Sequence, residues 1–305
     1  MKKINIDNVF PMFNKDSPGC SVCVLRNEKI IFEKCFGLAD LKNRTKIKLN
    51  TAFRIASLTK QFTARAITIL EEKGKLDFDD QLKQFFPDFP AYGKNISIRN
   101  LLTHTSGIPN HETPLYKKMR IGEEPTIYDS LKVIEERKRL LFKPGSKYKY
   151  SDAGYVLLAL IIEKASGYRY SQFLKKYIFK PLDMNYTIVV DERKPIVKNR
   201  ALGYRMKNKK WKLYDYDRLN YIVGDDGIYS TVIDLAKWNS LLNKTGWISN
   251  FCGLVDEKRK IRYQTGSWVG FNNIILLDMK NNTTIIMLSN TTEFKKENKK
   301  IDIVL

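Results

Sequence analysis

A serine and a lysine three residues apart are the residues of this sequence best suited to chemistry. Ser57 and Lys60 stand at the start of an apolar stretch that predicts a buried helix over about 57–73. Residues i and i+3 lie one above the other on a helix, so the Lys60 ammonium can approach the Ser57 hydroxyl. A serine attacks poorly unless a neighbour takes its proton, and desolvation lowers the pKa of a lysine. The pair therefore predicts a nucleophile, Ser57, with Lys60 as its activating base.

The same spacing occurs a second time, at Ser146 and Lys149. Chance matches are expected in a chain that holds 54 Lys and Arg residues among 305. This stretch follows Pro144-Gly145 in a polar loop, where no buried helix positions the two side chains. We therefore interpret it as a chance match.

A Tyr-Ser-Asp stretch precedes a second apolar helix, predicted at about 152–165. Tyr150 and Ser151 could present two hydroxyl groups to a cleft, and a phenol near a cationic lysine ionises more easily and relays protons. The alternative is an ordinary helix start, with Ser151 or Asp152 as the N-cap. Taken alone, this stretch favours the cap.

A glycine-containing stretch from Gln264 to Phe271 lies among the late strands. A glycine on an edge strand, here Gly266, lets a substrate backbone approach closely. The backbone N–H of Ser267 beyond it could form half of an oxyanion hole. The alternative is a strand end with a bulge.

The strand patterns lie towards both ends of the chain, and helical patterns lie between them. Strands are predicted at 19–27, 29–36, 51–55, 185–190, 201–206, 270–278 and 283–289. Further helices are predicted at 170–180 and 231–243. This order predicts an α/β (α+β) fold, in which one sheet is built from both ends of the chain. We expect an α/β sheet domain from 1–75 and 183–305, a mostly helical domain from 76–182, and the site at their interface.

Five blocks, in this order, together resemble the class C β-lactamase-related serine hydrolases. That family includes penicillin-binding DD-peptidases, D-amino-acid peptidases and amidases, and esterases. The resemblance covers roughly residues 18–290. The blocks are RIASLTKQF (54–62), LLTHTSGIP (101–109), YSDAGYVLL (150–158), GDDGIYST (224–231) and GSWVGF (266–271).

The resemblance implies a role for each matching residue. Ser57 is expected to be the acylated nucleophile, Lys60 its base and Tyr150 a second proton-transfer group. The oxyanion hole and substrate-binding positions are expected at Ser57, Ser267, Asp152, Gln264 and Gly266. The implied fold is β-lactamase/transpeptidase-like, an antiparallel sheet flanked by helices with a helical second domain. The implied partner is a small-molecule or peptide substrate with an ester, amide or β-lactam bond, and no cofactor or metal is expected.

Two positions depart from the family pattern. Asp152 stands where Asn is commonest, and an ionised carboxylate accepts hydrogen bonds but donates none. A carboxylate near Lys60 also raises the pKa of the lysine, which shifts the role of base towards Tyr150 or lowers activity. Gln264 stands where the family has Lys or His, so this position carries no charge for a substrate carboxylate. The departures motivate an alternative function: a weakened relative that binds acyl or peptide ligands without efficient turnover.

Composition and charge exclude other classes of protein. The net charge of +21 is spread along the chain, so we interpret it as solvated surface and expect no specific nucleic-acid partner. We expect no transmembrane segment, because no apolar run approaches the length that one needs. The basic start at residues 1–7 has no apolar region behind it. No signal peptide is therefore predicted, and the localisation is cytoplasmic as written, or exported if the sequence is a trimmed form.

The four cysteines are expected to be free thiols. Cys20 and Cys23 lie three residues apart in a predicted strand, so their side chains point to opposite faces. This geometry disfavours a shared metal or a disulfide. We expect them to act as small buried hydrophobic residues, as free cysteines often do.

Overall fold

The computed structural model describes residues 13–120, 122–192, 196–244, 251 and 254–293. Its strands are β1 (Cys20–Arg26), β2 (Lys29–Phe36), β3 (Leu38–Asp40), β4 (Thr45–Lys46), β5 (Phe53–Arg54), β6 (Ile188–Val189), β7 (Tyr204–Lys207), β8 (Lys210–Leu213), β9 (Ile228–Ser230), β10 (Leu254–Asp256), β11 (Ile261–Trp268), β12 (Phe271–Asp278) and β13 (Thr283–Ser289). Its α-helices are α1 (Thr59–Glu72), α2 (Leu82–Phe85), α3 (Ile98–Leu102), α4 (Glu112–Lys118), α5 (Ile127–Glu135), α6 (Asp152–Ser166), α7 (Tyr170–Leu174) and α8 (Val232–Lys244).

A six-stranded antiparallel sheet is built from both ends of the chain, as the sequence predicts. Its strand order is β10-β11-β12-β13-β1-β2. The first strand pairs with the last, with Cys20 opposite Ser289 and Arg26 opposite Thr283. A smaller sheet, in the order β5-β9-β6, lies where the chain enters the predicted nucleophile region. The predicted α/β architecture with an antiparallel sheet is confirmed.

Strand β1 is buried on both faces of the sheet. Val22 and Val24 belong to one apolar cluster, whereas Cys23 and Leu25 belong to the larger cluster under the helices. Burial on both faces explains the nearly continuous apolar sequence of this strand. Cys20 lies on the face opposite Cys23, and burial raises the pKa of the Cys23 thiol to about 12. Both are free and buried as predicted, whereas Cys252 lies outside the described residues.

Two buried helices connect the sheet to the middle of the chain. Helix α1 packs against α6, whose residues from Ala153 to Ile162 are all buried, and α8 packs on β1 and β13. Over 76–120 and 122–182 the described chain contains helices and turns but no strand. One apolar cluster nevertheless runs through the sheet side and this helical part. The division into two domains stays a prediction.

The structure differs from the sequence expectation at the charged hairpin of β7 and β8. Lys207 and Lys210 pair across its turn. Strand β7 overlaps the strand predicted at 201–206, whereas β8 was not predicted, because it is largely exposed and lacks the alternation of apolar and polar residues that marks a half-buried strand. Among the described residues, none of the helices is long and apolar enough to span a membrane.

Candidate active site

Ser57 lies in a tight turn between β5 and α1, not within the helix itself. A 3₁₀ turn spans Ala56–Leu58, and α1 begins only at Thr59. Ala56 has a φ of +52°, a left-handed conformation that an alanine adopts at a cost of about 1–2 kcal/mol. The Ile55 N–H donates to the Ile228 carbonyl and the Leu58 N–H to the Ile55 carbonyl, which fixes the turn. Strain held by surrounding contacts is typical of functional sites.

Lys60 is buried, and its ammonium group reaches three oxygen atoms. Nζ lies 3.3 Å from Ser57 Oγ, 2.7 Å from Asp152 Oδ1 and 3.0 Å from the Asp225 carbonyl oxygen. The side chain is only 1% exposed, whereas that of Asp152 is 16% exposed. The first turn of α1 and the start of α6 therefore meet at Ser57.

The ionic state of Lys60 differs from the expectation based on burial alone. Burial is the largest single influence and disfavours the charged form, but Asp152, Tyr150 and Asp225 together outweigh it, so the pKa of Lys60 lies above its ordinary value. The contact with Lys60 holds the pKa of Asp152 below its ordinary value, although burial opposes this. The resting site therefore holds an ammonium–carboxylate pair. The prediction that desolvation leaves Lys60 with a lowered pKa was therefore wrong. The rise in pKa expected from a carboxylate near Lys60 is the outcome found.

Tyr150 completes the group of side chains around the serine. Its hydroxyl donates to Ser57 Oγ at 2.8 Å, and its ring lies 4.9 Å from Lys60 Nζ. Burial raises the pKa of Tyr150 to about 12, while the Lys60 charge opposes this rise. Tyr150 is therefore a neutral phenol at rest, placed to exchange a proton with Ser57.

His104 supports the ring of Tyr150 from behind. The two rings are stacked with centroids 4.7 Å apart, and His104 Nδ1 accepts a hydrogen bond from the Ser151 backbone N–H at 3.2 Å. Burial lowers the pKa of His104 to about 4, which keeps Nδ1 free to accept. Ser151 itself is the N-cap of α6, because its Oγ accepts from the Gly154 N–H. Of the two neighbouring hydroxyl groups, only that of Tyr150 contacts Ser57.

Strand β11 closes the other side of the serine turn. The Gln264 side-chain Nε2 donates to the Ser57 carbonyl oxygen at 2.8 Å. Gly266 lies so close to the turn that a Cβ there would be 2.2 Å from the Ile55 carbonyl oxygen and 3.2 Å from the Ser57 nitrogen. Asn273 Nδ2 donates to the carbonyls of Arg54 and Gly266, which ties β5 to β11. Ser267, the residue after Gly266, has an exposed side chain that contacts Asn272.

A buried ion pair lies beneath the turn. Arg54 Nε is 3.2 Å from Asp226 Oδ1, and its Nη2 donates to the Asn220 carbonyl. The Arg54 side chain is 1% exposed and the Asp226 side chain 12% exposed. The pair connects β5 to the loop that also supplies the Asp225 carbonyl to Lys60.

We expect Asp226→Ala to lower the free energy of unfolding by about 3–5 kcal/mol, because it leaves the Arg54 charge buried and unpaired. Urea unfolding followed by circular dichroism measures the loss. Asp79→Ala is the control: it removes the partner of Arg99 from an exposed ion pair that solvent screens, so no measurable loss is expected. Equal losses in the two variants would contradict the burial argument.

Comparisons with known proteins identify the family of this chain. The model of the family described as β-lactamase matches residues 6–304. The chain belongs to the β-lactamase family. One β-lactamase-family relative, penicillin-binding protein 4* of Bacillus subtilis, is 32% identical over 87% of this chain and 66% of its own length. The human mitochondrial serine β-lactamase-like protein LACTB is 30% identical over 74% of this chain and 53% of its own length.

A solved structure shows the same fold. A penicillin-binding protein from Bacillus halodurans superposes with a TM-score of 0.83 at 24% identity, covering 99% of this chain and 100% of that one. The chain spans between about half and two thirds of the length of the curated relatives just named.

Several residues of this candidate site were not identified from the sequence. Three of them are distant in sequence from the serine motif: Asp225, Glu112 and Asn273. A single carboxylate or amide in a loop or strand has no characteristic spacing from other residues that would indicate its role. Carboxyl oxygens of Glu112, Asp152 and Asp225 lie within 4.8 Å of one another, and that of Asp152 contacts the Lys60 ammonium. The two adjacent acids in the block at 224–231, one of the five blocks of the resemblance, were the hint that the sequence offered.

Proposed function

We propose that this chain is a serine hydrolase that acts through an acyl-enzyme on Ser57. The convergence of two donors on one serine oxygen carries the proposal: Tyr150 OH at 2.8 Å and Lys60 Nζ at 3.3 Å. A serine in this setting needs a proton acceptor and a source of positive charge, and the two side chains supply them separately. The substrate is an ester, amide or lactam, bound between β11 and the start of α6, where the two expected domains meet.

In acylation, Ser57 Oγ forms a bond to the substrate carbonyl carbon. In one concerted transfer the Ser57 proton passes to the Tyr150 oxygen while the Tyr150 proton passes to the leaving-group atom, and the bond between that atom and the carbonyl carbon then breaks. Lys60 stays an ammonium ion throughout and stabilises the partial negative charge on Tyr150 and Ser57. In deacylation, water replaces the leaving group and the same proton transfers run in reverse. The raised pKa of Lys60 supports this assignment over its role as the base at rest.

The carbonyl oxygen of the substrate becomes negatively charged in this step, so the site needs an oxyanion hole. We assign it to the backbone N–H groups of Ser57 and Ser267. The close approach of Gly266 to the Ser57 nitrogen supports this, because it places β11 directly beside the turn. Removing one such donor typically lowers the rate by about 10²–10³-fold.

The test is covalent labelling followed by intact mass measurement. Fluorescent penicillin and, separately, a fluorophosphonate are incubated with the wild-type chain, Ser57→Ala and Ser146→Ala. We expect one adduct on the wild type and on Ser146→Ala, and none on Ser57→Ala. Ser146 is the matched control because it stands in the second Ser-x-x-Lys stretch, where its Oγ bonds only locally, to the Lys143 carbonyl. Absence of an adduct on the wild type would favour a protein that binds ligands without turnover.

A further inference from the structure

Three carboxyl groups lie close together beside the serine, and one of them contacts the Lys60 ammonium. Glu112 and Asp152 are partly exposed, and Asp225 lies behind them at 7% exposure. Their carboxyl oxygens lie within 4.8 Å of one another, and Lys60 Nζ is 2.7 Å from Asp152 Oδ1. We call Glu112, Asp152 and Asp225 the acidic cluster.

The deepest member of the acidic cluster has an unused acceptor. Asp225 Oδ1 is buried and has no hydrogen-bond partner, although the Asp225 backbone carbonyl accepts from Lys60. A buried carboxyl oxygen without a partner is costly, so its presence beside the candidate cleft needs an explanation. A ligand that brings hydrogen-bond donors to this position would provide one.

If all three carboxyl groups were ionised, the acidic cluster would carry more negative charge than Lys60 balances. Burial and the neighbouring acids raise the pKa of Glu112 to about 7 and hold the pKa of Asp225 well above its ordinary value. Protons therefore supply part of the positive charge that the cluster requires at rest. A cation in the cleft would take the place of such a proton.

We propose that the acidic cluster binds an ammonium group of the substrate, so that the site selects substrates with a positive charge near the scissile carbonyl. This rests on the proposed function and narrows its substrate class. An ammonium group has three N–H donors, which can serve Glu112 and Asp152, the two members that the cleft exposes, and the unpartnered Asp225 Oδ1 behind them. The neutral Gln264 agrees, because it carries no charge that would attract a substrate carboxylate.

The test compares three acyl thioesters of nearly equal size. β-Alanyl, butanoyl and succinyl thioesters differ chiefly in a terminal ammonium, methyl or carboxylate group. We expect kcat/KM to be about tenfold higher for β-alanyl than for butanoyl, and about tenfold lower for succinyl. The same three end groups are also placed on the alcohol side of the scissile bond, as 2-aminoethyl, propyl and 2-carboxyethyl esters. No preference for the ammonium in either series would overturn the proposal.

Glu112→Gln assigns the preference to the acidic cluster. It removes one charge and keeps the shape, so the ratio of ammonium to methyl substrate should fall at least fivefold. Glu257→Gln removes the same charge from an exposed turn before β11 and should leave the ratio unchanged. If Glu112→Gln keeps the wild-type ratio, the selection lies elsewhere and the proposal fails.

The pH dependence of the same ratio is a second readout. Glu112 ionises as the pH rises through about 7, so the preference for the ammonium substrate should grow between pH 6 and pH 8. An alkylammonium group keeps its proton over this range. The charged and titratable groups that act on Glu112 are Asp152, Lys60, Asp217, Asp226, Asp225 and Tyr116. A ratio that stays flat in the wild type would contradict the assignment to Glu112.

Binding without turnover separates this proposal from the proposed function. Ser57→Ala cannot be acylated at this position but keeps the acidic cluster. β-Alaninamide should raise its melting temperature more than butanamide does, and Glu112→Gln in the same background should remove the difference. This result would stand even if no thioester were hydrolysed. Equal shifts for the two amides would overturn the ammonium site whatever the enzyme assay gives.

Discussion

We expect Lys60→Met to lower kcat/KM for a neutral ester by about 10⁴-fold. This is the largest effect that we expect from replacing any one of the side chains that contact Ser57. The substitution keeps an unbranched side chain of similar length but removes the ammonium 3.3 Å from Ser57 Oγ. Without it, the negative charge that develops on Tyr150 and Ser57 has no positive charge beside it. The measurement is the rate of p-nitrophenyl ester hydrolysis, with the acylation rate from stopped-flow labelling.

Loss of folding must be separated from loss of chemistry in this variant. Lys60→Met leaves Asp152 without its ammonium partner, which is destabilising in a buried site. The double variant Lys60→Met/Asp152→Asn removes both charges, so its melting temperature should recover while its activity stays low. Recovery of activity together with stability would contradict a catalytic role for the ammonium.

Tyr150→Phe distinguishes the two proton-transfer assignments. It removes the hydroxyl 2.8 Å from Ser57 Oγ and leaves the Lys60–Asp152 pair intact. If Tyr150 transfers the proton, acylation should fall by about 10²–10⁴-fold at every pH. If Lys60 were the base, Tyr150→Phe would retain most activity and the profile would depend on the deprotonation of Lys60.

The sequence predicts the elements whose residues alternate or repeat along one strand or helix. The β1 hairpin, α1, α6 and the last two strands follow from such local patterns, and the union of both chain ends in one sheet follows from their order. The Ser57 to Lys60 contact is also local, because three residues separate the two side chains. These features require no knowledge of distant contacts.

The charge state of the site could not be predicted in the same way. Whether Lys60 gains or loses a proton depends on the balance of burial against Asp152, and 92 residues separate the two side chains. The Arg54–Asp226 pair joins residues 172 apart, and Gln264 reaches Ser57 across 207. Such contacts depend on tertiary packing, so composition and spacing suggest candidates without giving distances.

Gly266→Ala lowers acylation by about 10³-fold in our expectation, although it adds a single methyl group. Its Cβ would lie 2.2 Å from the Ile55 carbonyl oxygen, and backbone atoms cannot move aside as a side-chain tip can. Strand β11 must therefore shift away from the turn, which separates the Ser267 N–H from the Ser57 N–H. An oxyanion hole in which one N–H donor is lost and the other is misaligned no longer stabilises the negative charge of the transition state well. The measurement is the acylation rate with fluorescent penicillin or a p-nitrophenyl ester.

Gly154→Ala is the matched control for this prediction. Gly154 also lies near the site, at the start of α6, but an added Cβ there would be 3.4 Å from its nearest neighbour, the Leu101 carbonyl oxygen. Alanine also favours a helix over glycine, so Gly154→Ala should keep both its activity and its stability. The Ser57 and Lys60 side chains are unchanged in both variants. If Gly266→Ala kept the wild-type acylation rate at an unchanged melting temperature, β11 would not form the oxyanion hole, and the second N–H donor would have to come from another element.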